Sequence, residues 1–384
     1  MKTSLWLYLF IFVAMFDLHA QYPILSPFAL SLGAAPSFIG YIMGVYSLTH
    51  LPGNIIAGFG IDKWGSKAFI VLSLIVAGII LIFQSQITDP WTLLYIRSIS
   101  GFVLAFLSPA CLALLAKIAR DRIHQSKLMA GNGLVHTLAS VVSPAAGALL
   151  VSKVGFTAAF AILGWILIAT GLFAIIGVRE TSTTKSNKSA LSEPLPVPEL
   201  EADARGSKIP WLFFLIPLAI SCSQGILFFE LPLIATTRSA VVTAGILFSL
   251  VSLGALLTLS FVFLNRFSPL YRTVFGALTL AFIFFGIAVQ WPIPLYAALF
   301  MIGMTKGIIF PALSTLLAAI TPSSKYGRAF SFLSIAFSLG SFIGPILAGN
   351  LRGVVSSYYI AFMILMIALL VLPLRKFNSI LVSR

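Results

Sequence analysis

Twelve apolar runs divide this chain, and no other feature of the sequence limits its fold so tightly. They fall at about 4–28, 36–60, 66–86, 90–117, 127–151, 155–178, 209–234, 240–264, 271–290, 293–319, 327–350 and 354–376. About 20 apolar residues in a helix cross the hydrocarbon core of a bilayer, so each run is long enough for one span. Water is the wrong solvent for such a chain. Of its 384 residues 59% are apolar and 9% charged, whereas soluble domains carry about 25% charged residues. The expected fold is an all-α membrane protein of twelve transmembrane helices. Between the sixth and seventh runs lie Glu180, Lys185, Lys188, Glu193, Glu199, Glu201, Asp203, Arg205 and Lys208 among Ser, Thr and Pro. Such a segment cannot bury a core. The chain therefore divides into a six-helix bundle at 1–178, a flexible linker at 179–208 and a second six-helix bundle at 209–384.

The few charges sum to +14, and their placement sets the orientation. Of 24 Lys and Arg residues, 19 lie in segments on the side of the N-terminus, three (Lys153, Arg238 and Arg352) in segments on the other side, and two (Arg97 and Lys306) within runs. Lys and Arg concentrate in cytoplasmic loops, so a multi-pass protein of the cell membrane with both termini inside is expected. The basic residues are scattered between apolar runs and form no face, which argues against nucleic acid as a partner. Lys2 followed by an apolar run ending at Leu18-His19-Ala20 has the outline of a cleavable signal peptide. Asp17, and apolar character continuing to Ala29, favour a retained first span. Cys111 and Cys222 sit inside apolar runs without a second Cys or a His at ligand spacing, so neither a disulfide framework nor a metal site is expected.

The two halves echo one another. Pro109-Ala110-Cys111-Leu112-Ala113-Leu114-Leu115-Ala116-Lys117-Ile118 in the fourth run matches Pro311-Ala312-Leu313-Ser314-Thr315-Leu316-Leu317-Ala318-Ala319-Ile320 in the tenth at six of ten positions, at an offset of 202. Ser143-Pro144-Ala145-Ala146-Gly147 in the fifth run has its counterpart around Gly344-Pro345 in the eleventh, the prolines being 201 apart. A weaker echo pairs Asp62-Lys63-Trp64-Gly65 with Asn265-Arg266-Phe267-Ser268 at an offset of 203. Six spans separate the copies, so the halves share one orientation. This is a parallel repeat about an axis along the membrane normal.

On these features the chain resembles the major facilitator superfamily over essentially its whole length. The segment Gly58-Phe59-Gly60-Ile61-Asp62-Lys63-Trp64-Gly65-Ser66-Lys67 is similar to that family's loop signature. The resemblance implies that Gly58, Asp62, Lys63, Gly65 and Lys67 form a latch on the cytoplasmic gate, with Asp62 capping a helix end. Span 5 resembles the family's antiporter motif, with small residues in place of some expected glycines. It implies a helix-packing and gating role for Ser143, Pro144 and Gly147, repeated in Gly340, Gly344, Pro345 and Gly349. Small residues at four-residue spacing let helices approach closely, so packing alone also accounts for them. The implied fold is two parallel six-helix repeats around a central cavity, acting as a monomer in membrane lipid on a small-molecule solute, without a cofactor.

Four formally charged residues lie well within spans: Asp17 in span 1, Arg97 in span 4, Glu230 in span 7 and Lys306 in span 10. Each costs about 2.5–3.5 kcal/mol at a helix centre, so idle retention is costly. The resemblance implies that these four spans line the cavity. At ~1.5 Å per residue, Asp17 and Lys306 fall near mid-membrane and Arg97 and Glu230 roughly 10–13 Å outward. Asp17 is the expected proton carrier. Arg97 looks like the coupling Arg of family antiporters, four residues before Gly101. Two plainer accounts stay open: an interfacial Glu230 beside Pro232, and Lys306 as a permanent partner of Asp17. Gln21, one turn after Asp17, is a candidate cavity residue. Asn132 and His136, spaced i,i+4 like His50 and Asn54, serve either interhelical hydrogen bonding or solute contact. Phe228 and Phe229 beside Glu230 are candidates for an apolar wall. No nucleophile or metal cluster of an intramembrane enzyme is present in the sequence. The expectation is a proton-coupled exporter, an antiporter, of a small organic compound. Alternatives are a specific exporter of an amphoteric or carboxylate metabolite such as an opine-type metallophore, and a proton-coupled uptake symporter.

Overall fold

The computed structural model describes residues 2–119, 121–177, 211–234, 238–321 and 326–372. The linker expected at 179–208 lies outside the described residues. The first half holds α1 (Lys2–Ala20), α2 (Tyr22–Ser31), α3 (Pro36–Trp64), α4 (Ser66–Ser85), α5 (Pro90–Leu104), α6 (Leu107–Lys117) and α7 (Arg122–Gly177). The second holds α8 (Leu215–Glu230), α9 (Arg238–Leu259), α10 (Pro269–Ala288), α11 (Leu295–Ile320), α12 (Tyr326–Leu351) and α13 (Ser357–Val371). Nine helical segments among the described residues are long and apolar enough to cross a membrane, and one of these, Ile123–Gly177, is 55 residues long and makes two crossings. Pro36–Trp64 and the shorter Ser357–Val371 complete twelve spans.

Local sequence explains where the helices break. Proline lacks an N–H, and its ring clashes with the carbonyl four residues back. Pro109 accordingly separates α5 from α6 at Ala105–Phe106. Pro23 falls in the first turn of α2, just after the break at Gln21 that interrupts span 1. Gly155, at φ +83°, divides the long α7 into its two spans. Gly65, at φ +84°, turns α3 into α4. These are backbone conformations that glycine adopts without steric cost.

The halves join where α3 packs on α12 and α7 on α9. Among the described residues the close glycine contacts across this seam cluster toward one end. The backbone of Gly40 rests on that of Pro345 and Ile346, and a Cβ at Gly245 would lie 2.6 Å from the Pro144 carbonyl oxygen and 2.5 Å from Ala148 Cβ. Gly58 stands five turns along the same face of α3 as Gly40, yet a Cβ there would meet nothing within 4 Å. Gly133, three turns before Pro144 on α7, is equally uncovered. The bundle is therefore sealed at the end away from the α3–α4 turn and splayed at the end that carries it.

Candidate functional site

The break in span 1 sets a buried polar chain. Gln21 sits between α1 and α2, where its amide turns back along α1: Nε2 donates to both Asp17 carboxylate oxygens at 3.0 Å. Its Oε1 accepts from Arg97 Nη1 at 2.9 Å and, more weakly, from Gln84 Nε2 at 3.5 Å. The Arg97 guanidinium lies 4.7 Å over the Tyr46 ring, a cation–π contact that suits a charge removed from water. Asp17 is 2% and Arg97 4% exposed. Carboxylate and guanidinium thus share one amide and are separated by it. Arg97 Nε and Gln84 Oε1 have no hydrogen-bond partner among the described residues.

A cavity of about 370 Å³ lies beside this chain, between the two halves. His19 and Tyr22 reach it from span 1, His136 from span 5, Gln224 and Phe228 from span 7, Phe248 from span 8, and Lys306 and Phe310 from span 10. Lys306 Nζ stands 5.9 Å from the centroids of both Phe228 and Phe310. Among the described residues no carboxylate forms an ion pair with it; the described ion pair is Arg352 with Glu230. His19 Nδ1 is 2.7 Å from the Met15 carbonyl oxygen. A carbonyl only accepts, so Nδ1 carries the proton and Nε2 of the neutral ring is an acceptor. The His19 and His136 rings meet edge to face at 5.7 Å. Tyr22 stacks on Phe228 at 4.2 Å, and Phe248 stands across Phe228 at 5.4 Å. The Tyr22–Phe228 stack bridges the halves.

The four intramembrane charges do not share one site. Asp17 and Arg97 belong to the sealed chain, which Arg97 reaches because Gln21 stands one turn nearer to it than Asp17 does. Lys306 faces the cavity and is not paired with Asp17. Glu230 corrects the expectation of a fourth cavity charge. It ends α8, where its Oε1 accepts from Ser357 Oγ at 2.7 Å and lies 3.6 Å from Arg352 Nε. The turn between α12 and α13 folds across it there, in a separate recess of about 330 Å³. Gln21 bonds Asp17 and Arg97 and does not line the cavity. His136 opens to the cavity; Asn132, a turn earlier, does not line it. His50 and Asn54 bond each other at 2.9 Å.

At the splayed end Gly58 is uncovered and Lys63 is exposed, its Nζ lying 5.2 Å over the Trp64 ring. Lys67 follows in the first turn of α4. The side chain of Asp62 lies outside the described residues. Of the small-residue motifs, Ser143 donates to the Ala139 carbonyl, Gly147 packs on Ala20, Gly340 on Leu218 and Ser221, and Gly344 on Cys222, while toward the sealed end Pro345 packs on Gly40 and Gly225 and Gly349 on Pro36. Sequence reasoning missed Gln84, Gln224 and Tyr46. Isolated amides in apolar runs were the available signal for the two glutamines, since an unpaired amide in hydrocarbon is costly. Tyr46 gave none.

The family model for the Major Facilitator Superfamily matches residues 7–289 and 271–380. A relative named "Multi-drug resistance efflux pump PmrA homolog", from Lactococcus lactis subsp. lactis (strain IL1403), is 23% identical over 344 residues, covering 87% of this chain and 84% of its own length. Multidrug resistance protein MdtG of Escherichia coli (strain 55989 / EAEC) is 24% identical over 317 residues, covering 79% and 76%. Among solved structures, a bacterial homolog of the human lysosomal transporter Spinster superposes with a TM-score of 0.78 at 15% identity over 99% of this chain and 97% of that one. A D-xylose-proton symporter gives 0.72 at 14% identity, covering 96% of each chain.

Proposed function

The chain belongs to the major facilitator superfamily, whose members are transporters and not enzymes, and from that premise we propose that it is a proton-coupled exporter of a small organic solute. The observation that carries this reading is the Asp17–Gln21–Arg97 chain, sealed from solvent at the break in span 1 and directly before Tyr22. Asp17 is the proton carrier. A proton on Asp17 removes one of the two acceptors that hold the Gln21 amide, and the amide turns. Tyr22, the next residue, stacks on Phe228 of the other half, so a turn at Gln21 loosens a contact between the halves. Alternating access in transporters of this kind is rocking of one bundle against the other about a midplane site. The solute occupies the cavity of Lys306, His19 and His136.

The excess of Lys and Arg at the splayed end favours placing that end and both termini in the cytoplasm, which makes this conformation inward-facing and ready to load solute from within. The efflux names of the two relatives favour export. Lys306, the charged side chain on the cavity wall, favours an anionic or amphoteric solute over a purely cationic one. A carboxylate-bearing metabolite, of which an opine-type metallophore is one example, fits that preference as a second reading.

Everted membrane vesicles with an acid interior test the proposal, with norfloxacin as an amphoteric probe and ethidium as a cationic one. Export by antiport predicts that adding a transported probe alkalinises the interior with the unaltered protein and not with Asp17→Asn. Undiminished alkalinisation in Asp17→Asn overturns the assignment. Solute accumulation driven by protons in right-side-out vesicles instead identifies an uptake symporter.

A further inference from the structure

We infer that the cavity takes a flat aromatic carboxylate that also bears a hydrogen-bond donor, with its carboxylate on Lys306 and its donor on His19 Nε2. The inference rests on the proposed passage of solute through this cavity, and it names the class of solute.

Three features of the wall lead to it. Lys306 is an ammonium without an ion-pair partner among the described residues, held between the Phe228 and Phe310 rings at 5.9 Å from each centroid. When a solute displaces water from the cavity, an ammonium left there without a partner is strongly unfavourable, and no carboxylate is among the residues that line the cavity. The counter-charge therefore comes with the solute. The second feature is His19, whose proton on Nδ1 is committed to Met15 O at 2.7 Å. Its Nε2 is an acceptor and matches a hydroxyl or amino group. A solute with a carboxylate alone leaves Nε2 unmatched, and a buried acceptor left without a donor loses about 1–3 kcal/mol. His136, edge-on to His19 at 5.7 Å and open to the cavity, adds a second imidazole on the same side. The third feature is the remaining wall, in which Phe228, Phe248 and Phe310 present ring surface. Aromatic rings pack face-offset or edge-on against one another, so a planar ring fits this wall better than a compact polar body. A volume of about 370 Å³, filled at an interior density of about 0.75, holds roughly 15–20 non-hydrogen atoms. Naphthalene-sized acids fall just within it.

Equilibrium binding to the purified full chain tests the inference, with 6-hydroxy-2-naphthoate, whose hydroxyl lies on the ring away from the carboxylate, 2-naphthoate and 2-naphthylmethylammonium as probes. The hydroxy acid is expected to bind about tenfold more tightly than 2-naphthoate, the equivalent of about 1.4 kcal/mol, and both acids more tightly than the amine. Lys306→Met should weaken both acids by about tenfold or more and leave the amine unchanged. Lys306→Arg, which keeps the charge, should restore acid binding to within a few-fold, separating loss of charge from loss of fold. His19→Phe should bring the hydroxy acid down to the affinity of 2-naphthoate. Equal affinity for amine and acids, acid binding indifferent to Lys306→Met, or no acid binding at all each overturns the inference. These outcomes are separate from the transport reading. Proton-driven movement of norfloxacin or ethidium without naphthoate binding breaks the solute class alone, whereas naphthoate binding with Asp17-independent flux breaks the proton assignment alone.

Discussion

The first half keeps its intramembrane charges, Asp17 and Arg97, from water, whereas the second half presents Lys306 to the cavity. Asp17 and Arg97 are joined through the Gln21 amide in a chain almost without solvent exposure. Lys306 stands on the wall of a cavity with aromatic rings on either side and no carboxylate partner among the described residues. Short segments of the two halves echo one another in sequence, yet the contrast comes from particular side chains that the echo does not share. It teaches a division of labour: a matched, sealed pair suits a proton, which needs no space, while an unmatched charge on a cavity suits a solute that brings the opposite charge.

The largest expected effect is that of Asp17→Asn. Proton-driven flux should fall by about a hundredfold or more, since the neutral amide keeps the geometry and removes the titrating group. Flux down a pH gradient in proteoliposomes measures it, with thermal unfolding as the control for fold. Next is Gly245→Leu. The Pro144 carbonyl and Ala148 Cβ leave no room for a side chain there, and overpacking of this kind costs about 1–3 kcal/mol. The halves should no longer close at that end, cutting flux by about tenfold and exposing a cysteine placed at Phe248 to labelling from that side. Gln21→Leu should act more mildly. It removes the amide between Asp17 and Arg97, so flux persists but its pH of half-maximal rate moves by about one unit, equivalent to about 1.4 kcal/mol. Unchanged pH dependence would mean that the amide is only packing. Smallest is Glu230→Gln. Glu230 is satisfied by Ser357 and Arg352 outside the cavity, and such partly exposed pairs contribute about 0–1 kcal/mol. Flux should change less than about twofold, and a large loss would return Glu230 to the cavity.

The twelve spans were legible because lipid leaves one reading of an apolar run of about 20 residues. Their internal breaks were less so. Pro23 is acceptable in the first turn of a helix, so the sequence left span 1 continuous, and only packing reveals that Gln21 interrupts it. The four buried charges were legible as residues because each is costly in hydrocarbon. Their partners were not. Residue number gives depth along a helix, but the reach of Arg97 to Gln21 and the turn that folds Ser357 and Arg352 onto Glu230 depend on side-chain direction and on neighbouring helices. The same limit hid Tyr46 and Phe248, which resemble any other aromatic residue in an apolar run.

The division between a proton site at Asp17 and a solute site at Lys306 is tested most directly by comparing two kinds of flux in one variant. Proteoliposomes containing Asp17→Asn can be assayed for solute–solute counterflow of 6-hydroxy-2-naphthoate at equal pH and for its movement driven by a pH gradient. The account predicts that counterflow survives to within a few-fold while gradient-driven movement is lost, and that Lys306→Met loses both. Gradient-driven movement that persists in Asp17→Asn, or counterflow that disappears with it, would contradict the account.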